Sequence, residues 1–170
     1  MTASSPKKRT GASHQAAVSV ATFRSDPLFP RIERVVATLL ETGNVVTPIE
    51  VLIGMELLVR SDMEDWRRGR VDHLERVIKC NLTRLSRLLR ILRFHAHDLN
   101  LKPSTTAYVC RGRGPKQPLR FTKTGDAKIE AAYATHYVWP GKGPFHQHPI
   151  TSAAPKARLG REQGVPDRDA

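Results

Sequence analysis

Arg76, Lys79, Arg84, Arg87 and Arg90 recur at steps of three to five residues, a spacing that on a helix gathers cations along one side. Guanidinium groups bind phosphate oxygens bidentately as well as through their field, so such a row suits a polyanion rather than a small neutral substrate. A second basic group, Arg111, Arg113, Lys116 and Arg120, surrounds the run Gly112, Gly114 and Pro115, and a third, Arg67, Arg68 and Arg70, lies just before the row. These twelve residues are the expected nucleic-acid contacts. The competing reading is a set of solvated charges, the usual fate of charge runs.

The wider charge distribution supports the same class of partner. From Leu28 to Asp65 there are three basic residues and seven acidic ones, whereas from Trp66 to Val138 sixteen Lys or Arg face five acids. The second stretch therefore carries nearly all of the chain's net charge of +12. A concentrated positive field of this kind attracts nucleic acid, the commonest polyanion of a cell.

Other chemistry finds little footing. His95 and His97 fall near an expected helix end beside Asp98, and His136, His146 and His148 straddle a Pro/Gly segment, so no spacing matches a strong metal signature. Asp126 and Lys128 have no second acidic ligand placed by sequence. The Gly112, Gly114 pair lacks the strand and helix that a phosphate loop requires. Cys80 falls near the basic row, where a neighbouring Arg could lower its pKa, although an ordinary thiol is the plainer assignment. No catalytic residue, metal or cofactor is expected.

The elements that would position the cations are legible as periodicities. Phe29, Ile32, Val35, Val36, Leu39 and Leu40 predict a helix over 30–42, ended by Gly43 and Asn44. Thr47, Pro48 and Glu50 cap a second helix expected to reach Val59, and Ser61 with Glu64 opens a short third one containing Trp66 and stopped by Gly69. Asp72 with Glu75 then opens the longest helix, expected over 71–98. Leu74, Ile78, Leu82, Leu85, Leu89 and Leu92 form its core stripe, with Arg84 and Arg93 on the flanks of the basic side. Ile91 and Phe94 interrupt that polar side and suggest a second contact surface. Asn100, Pro103 and Ser104 mark a loop. Alternation around Tyr108 and Cys110, and again around Leu119 and Phe121, predicts a β-hairpin with a basic tip. Thr124 or Asp126 can cap a last helix bearing Ile129, Ala132 and Tyr133.

The fold class expected is mainly α with a small β-hairpin (α+β), a compact helical domain compatible with a winged helix, over residues 27–138. Residues 1–26 are expected to be a flexible basic tail and 139–170 a flexible Pro/Gly-rich tail, since neither can bury enough apolar surface to offset its ordering entropy. Residues 16–23 are too short and polar for a secretory core. No stretch approaches the length of a membrane span, so no membrane partner is expected. Two cysteines make no disulfide framework, which leaves the cytoplasm as the expected compartment.

Leu57, Leu58, Val59, Arg60 and Ser61, running through Trp66 to Arg67, Arg68, Gly69 and Arg70, resemble the second half of a helix-turn-helix of the Cro-like DNA-binding superfamily. The resemblance covers only 57–70. It implies that 60–69 is a recognition helix and that double-stranded DNA is slightly preferred over RNA. The first expectation is a non-enzymatic nucleic-acid-binding protein, such as a transcriptional regulator. Two alternatives stay open: a protein-interaction or homo-oligomerisation module built on Ile91 and Phe94, and a metal-dependent nuclease using some of the histidines.

Overall fold

A computed structural model describes residues 18–112 and 114–141. The expectations for 1–17, 142–170 and Arg113 lie outside the described residues, including those on His146, His148 and most of the C-terminal prolines. The chain runs α1 (Phe29–Thr42), β1 (Val45–Val46), α2 (Pro48–Gly54), α3 (Arg60–Arg67), α4 (Leu82–Asp98), β2 (Lys102–Thr105), α5 (Ala127–Ala134) and β3 (Thr135–Val138). It is a mainly α, α+β domain whose strands form one antiparallel sheet in the order β1-β3-β2.

α1 follows its sequence pattern. Phe29, Ile32, Val36 and Leu40 are its buried face, Pro30 lies in its first turn, and Gly43 ends it. α2 is capped as expected, the Thr47 hydroxyl accepting the Glu50 N–H at 3.1 Å. It stops at Gly54, however, and not at Val59. Glu56 takes a left-handed φ of 58°, which lets the Leu57 N–H turn back to the Leu52 carbonyl at 2.9 Å. Gly54 is where α2 meets α1: a Cβ there would come within 2.5 Å of Val35 Cγ1. α3 begins at Arg60 with Val59 as its N-cap and no side-chain cap, so Ser61 does not serve as one.

The expected helix over 71–98 is not continuous. Only a 3-10 turn, Leu74–Arg76, forms in its first third, and α4 starts at Leu82 with the Asn81 amide oxygen accepting the Arg84 N–H at 2.8 Å. The reason is competition for backbone donors. The Leu74 and Glu75 N–H groups donate to the carbonyls of Arg120 (3.1 Å) and Phe121 (2.9 Å), and the Lys79 N–H donates to Leu57 (2.7 Å). These long-range bonds replace the helical ladder. Asp72 bonds Arg76 at 3.0 Å instead of capping a helix.

The α4 core face is also wider than a leucine stripe. Leu85, Leu88, Leu89, Ile91, Leu92, His95 and Ala96 are buried, whereas Leu82 is 59% exposed. Ile91 is fully buried, and Phe94 packs on the core with its ring 5.8 Å from Phe23. The surface contact expected of this pair is an internal one. Phe23, in the segment expected to be a tail, is 2% exposed on a 3-10 turn (Phe23–Ser25), and Arg24 bonds Asp98 at 2.6 Å.

The sheet was not foreseen: 102–105, expected as a loop, pairs along its length with β3. The expected hairpin over 106–121 keeps a short closing ladder, Leu119 N–H to Tyr108 O and Cys110 N–H to Gln117 O, both 2.8 Å, around one bridge between Val109 and Pro118. α5 is capped by Asp126, whose carboxylate accepts the N–H groups of Lys128 and Ile129 at 3.0 and 3.1 Å.

Two substitutions probe this packing. Trp66 is fully buried and donates its indole N–H to the Arg120 carbonyl at 2.8 Å. Trp66→Phe should lower unfolding stability by about 1–3 kcal/mol, read from urea denaturation, by orphaning that carbonyl. His95 lies edge-on to Phe29 at 5.2 Å, and burial pulls its pKa from 6.5 down to about 4 against the opposing effect of Asp98. The folded state therefore binds fewer protons. Stability should be full above pH 6.5 and fall toward pH 4, by roughly 3 kcal/mol. His95→Phe should flatten that acid limb in urea midpoints measured against pH.

Candidate nucleic-acid interface

The solvent side of α4 is the most uncompensated basic surface described. Thr83, Arg84, Ser86, Arg90, Arg93 and His97 are exposed along it, with Arg87 half-buried. The sole acid of the helix is Asp98, at its C-terminus and bonded to Arg24. Arg90 is on the exposed side expected of it, and Arg84, expected on a flank, is exposed as well. Arg93, on the other flank, is exposed too and adds to the same basic side, three residues from Arg90. Arg87 also reaches the buried Asp26 carboxylate, which fixes its stem against the start of α1.

Arg76 and Lys79 do not lie on α4 but on the irregular segment before it. The expected single row is therefore split. Arg67, Arg68, Arg70, Arg111, Lys116 and Arg120 belong to a separate neighbourhood where the 106–121 loop docks on α3, the Arg111 N–H donating to the Arg67 carbonyl at 2.7 Å. Several of these cations are already engaged. Arg70 bonds Asp65 (2.8 Å), Arg111 lies 3.9 Å from Glu64, and Arg120 donates to the Lys123 carbonyl (2.8 Å). Among the described residues no carboxylate lies within ion-pair distance of Arg68, Lys79, Arg84, Arg90, Arg93 or Lys116.

Arg67 plays a different part. Its guanidinium stands over the Tyr108 ring at 4.9 Å, and its Nε is buried without a hydrogen-bond partner. The Tyr108 hydroxyl shares a 2.7 Å hydrogen bond with His136 Nε2, and Thr106 Oγ1 shares one of 3.2 Å with Nδ1. Burial lowers the His136 pKa, with Arg67 adding to it, and burial raises that of Tyr108. His136, expected in an unscaffolded segment, is thus fixed on the central strand. Neither Tyr108 (7% exposed) nor Phe121 (3%) is free to stack on a base, because both pack against Trp66.

The helix-turn-helix expectation meets a mixed geometry. α2 and α3 are two short helices joined by a turn, but α3 presents its acids: Glu64 and Asp65 face Arg111 and Arg70, and Arg60 grips Glu50 through two bonds of 2.9 and 3.3 Å. In the first turn of α3 the acid is Asp62, which suits the helix dipole, and all three α3 carboxylates repel phosphate. As for metals, no group of three His, Cys, Asp or Glu is assembled among the described residues. Burial raises the Cys80 pKa and outweighs the lowering by Arg84, so the neighbouring Arg does not activate this thiol. No helix among the described residues is long and apolar enough to cross a membrane.

No family model, curated protein or solved structure matches the chain.

Tyr108→Phe removes the bond to His136 while keeping the ring under Arg67. It should cost about 1 kcal/mol in urea unfolding, the net worth of one hydrogen bond.

Proposed function

We propose that the protein binds nucleic acid through the exposed face of α4, without catalysis. The observation that carries this function is the run Arg84, Arg87, Arg90 and Arg93 on a helix whose own acid, Asp98, lies at its C-terminus and is bonded to Arg24, with Asp26 buried under Arg87. On a surface serving only solubility, charges of both signs are usually interspersed. At about 1.5 Å per residue, the row spans roughly 13 Å of helix. At about 100° per residue the same cations spread over about half a circle, so Arg87 and Arg90 centre the exposed side with Arg84 and Arg93 at its edges, a spread that suits a groove walled by phosphates on two sides.

Duplex DNA is favoured over RNA because a helix with an exposed basic side suits the major groove of B-form DNA, whereas that of A-form RNA is too deep and narrow to be read by side chains. The reader helix is α4 and not α3, whose acids oppose phosphate. Arg68 and Lys116 form a second, weaker contact from the α3 neighbourhood. The protein-interaction alternative loses the observation that motivated it, since Ile91 and Phe94 pack inward.

The double reversal Arg90→Glu with Arg93→Glu leaves every observed ion pair intact, so the fold should hold. Fluorescence anisotropy against duplex DNA should show at least a tenfold loss for all sequences and a salt slope smaller by about two. Unchanged affinity in the folded variant would remove α4 from the binding surface.

A further inference from the structure

At the N-terminal end of the basic row the surface is recessed. A pocket of about 370 Å³ lies between the start of α1 and the first turns of α4, bounded by Asp26, Pro27, Leu28, Thr83, Arg84 and Arg87. That volume is at the small end of ligand sites. Its walls are of two kinds. Pro27 and Leu28 give an apolar side, while Arg84 is exposed at the other with no carboxylate partner among the described residues.

The single acid of the pocket is not available to repel an anion. The Asp26 side chain is 3% exposed, and its oxygens are taken by the Leu28 N–H (2.9 Å) and the Arg87 guanidinium. That pair also joins the segment before α1 to α4, so the pocket is held from both sides. An apolar wall opposite a cation, at the end of a track of cations, suits a flat ring that carries a phosphate.

We propose that this recess receives an unpaired nucleotide of the bound nucleic acid, its base against Pro27 and Leu28 and its phosphate on Arg84. The assignment rests on α4 being the nucleic-acid face and goes further by naming the preferred form of ligand: a strand with an extruded or unpaired nucleotide next to duplex. A fully paired duplex can occupy the row but leaves the pocket empty. Pulling a base out of an intact stack costs a few kcal/mol, which an unpaired base does not incur.

The test compares two labelled duplexes of one sequence, one fully paired and one with a single unpaired adenosine, by fluorescence anisotropy on the full chain. Wild-type protein should bind the bulged duplex at least fivefold more tightly. Thr83→Trp, which fills the pocket from an exposed position of α4, should bring that ratio to one. The wild-type ratio needs no variant, so a folding defect in Thr83→Trp cannot hide the answer. Equal affinities for the two duplexes, with binding still lost in the Arg90→Glu, Arg93→Glu variant, would overturn the pocket and leave the α4 surface standing. A preference that persists in folded Thr83→Trp would also overturn it. Absence of binding to either duplex at low salt would remove both the surface and the pocket.

Discussion

Four aromatic rings, Trp66, Tyr108, Phe121 and Tyr133, meet in one cluster, and the rest of the domain is arranged around them. Trp66 lies 5.7 Å from Tyr108 and 5.2 Å from Phe121, and Phe121 stacks on Tyr133 at 5.1 Å with nearly parallel planes. The indole N–H of Trp66 and the N–H of Leu74 both end on the Arg120 carbonyl, so apolar burial and hydrogen bonding converge on the same short segment. Aromatic pairs of this kind add to the gain from area alone. The 106–121 loop has one bridge of its own, so its place depends on these rings and on its bonds to Arg67, His136 and Glu130.

That cluster has a consequence for the charges. By drawing 70–79 into bonds with 120–121 and with Leu57, it cuts a helix-forming sequence short and moves Arg76 and Lys79 off the helix that carries Arg84 to Arg93. Glu130 secures the other end, its carboxylate accepting the N–H groups of Phe121 and Thr122 and the Thr122 hydroxyl at 2.7–3.2 Å. Two basic regions result. The one on α3 and the loop is interwoven with acids, which compete with phosphate for the same guanidinium groups. The one on α4 is nearly free of them, so its field is the less compensated of the two.

Pairing also sets which cations are structural. Arg24, Arg31, Arg60 and Arg87 tie separate elements together through Asp98, Glu56, Glu50 and Asp26. Exposed pairs of this sort contribute little each, whereas Arg87 to Asp26 is mostly withdrawn from water and ties the segment before α1 to α4. Arg84, Arg90 and Arg93 have no such duty. The basic residues thus divide into those that tie elements together and those with no carboxylate within ion-pair distance among the described residues.

The sequence by itself determined the fold class, the start and stop of α1, the cap of α2 and the run of cations, and narrowed the cap of α5 to Thr124 or Asp126, because each depends on residues within one or two turns of one another. Thr47 needs only Glu50, and Asp126 only Lys128 and Ile129. Tertiary structure alone decided where α4 begins, that 102–105 and 135–138 pair as strands, that Ile91 and Phe94 face inward, and that His136 is locked between Thr106 and Tyr108. In each of these the deciding partner lies tens of residues away. A backbone N–H at 74 or 75 is helical by local pattern and becomes something else only when Arg120 and Phe121 arrive to accept it.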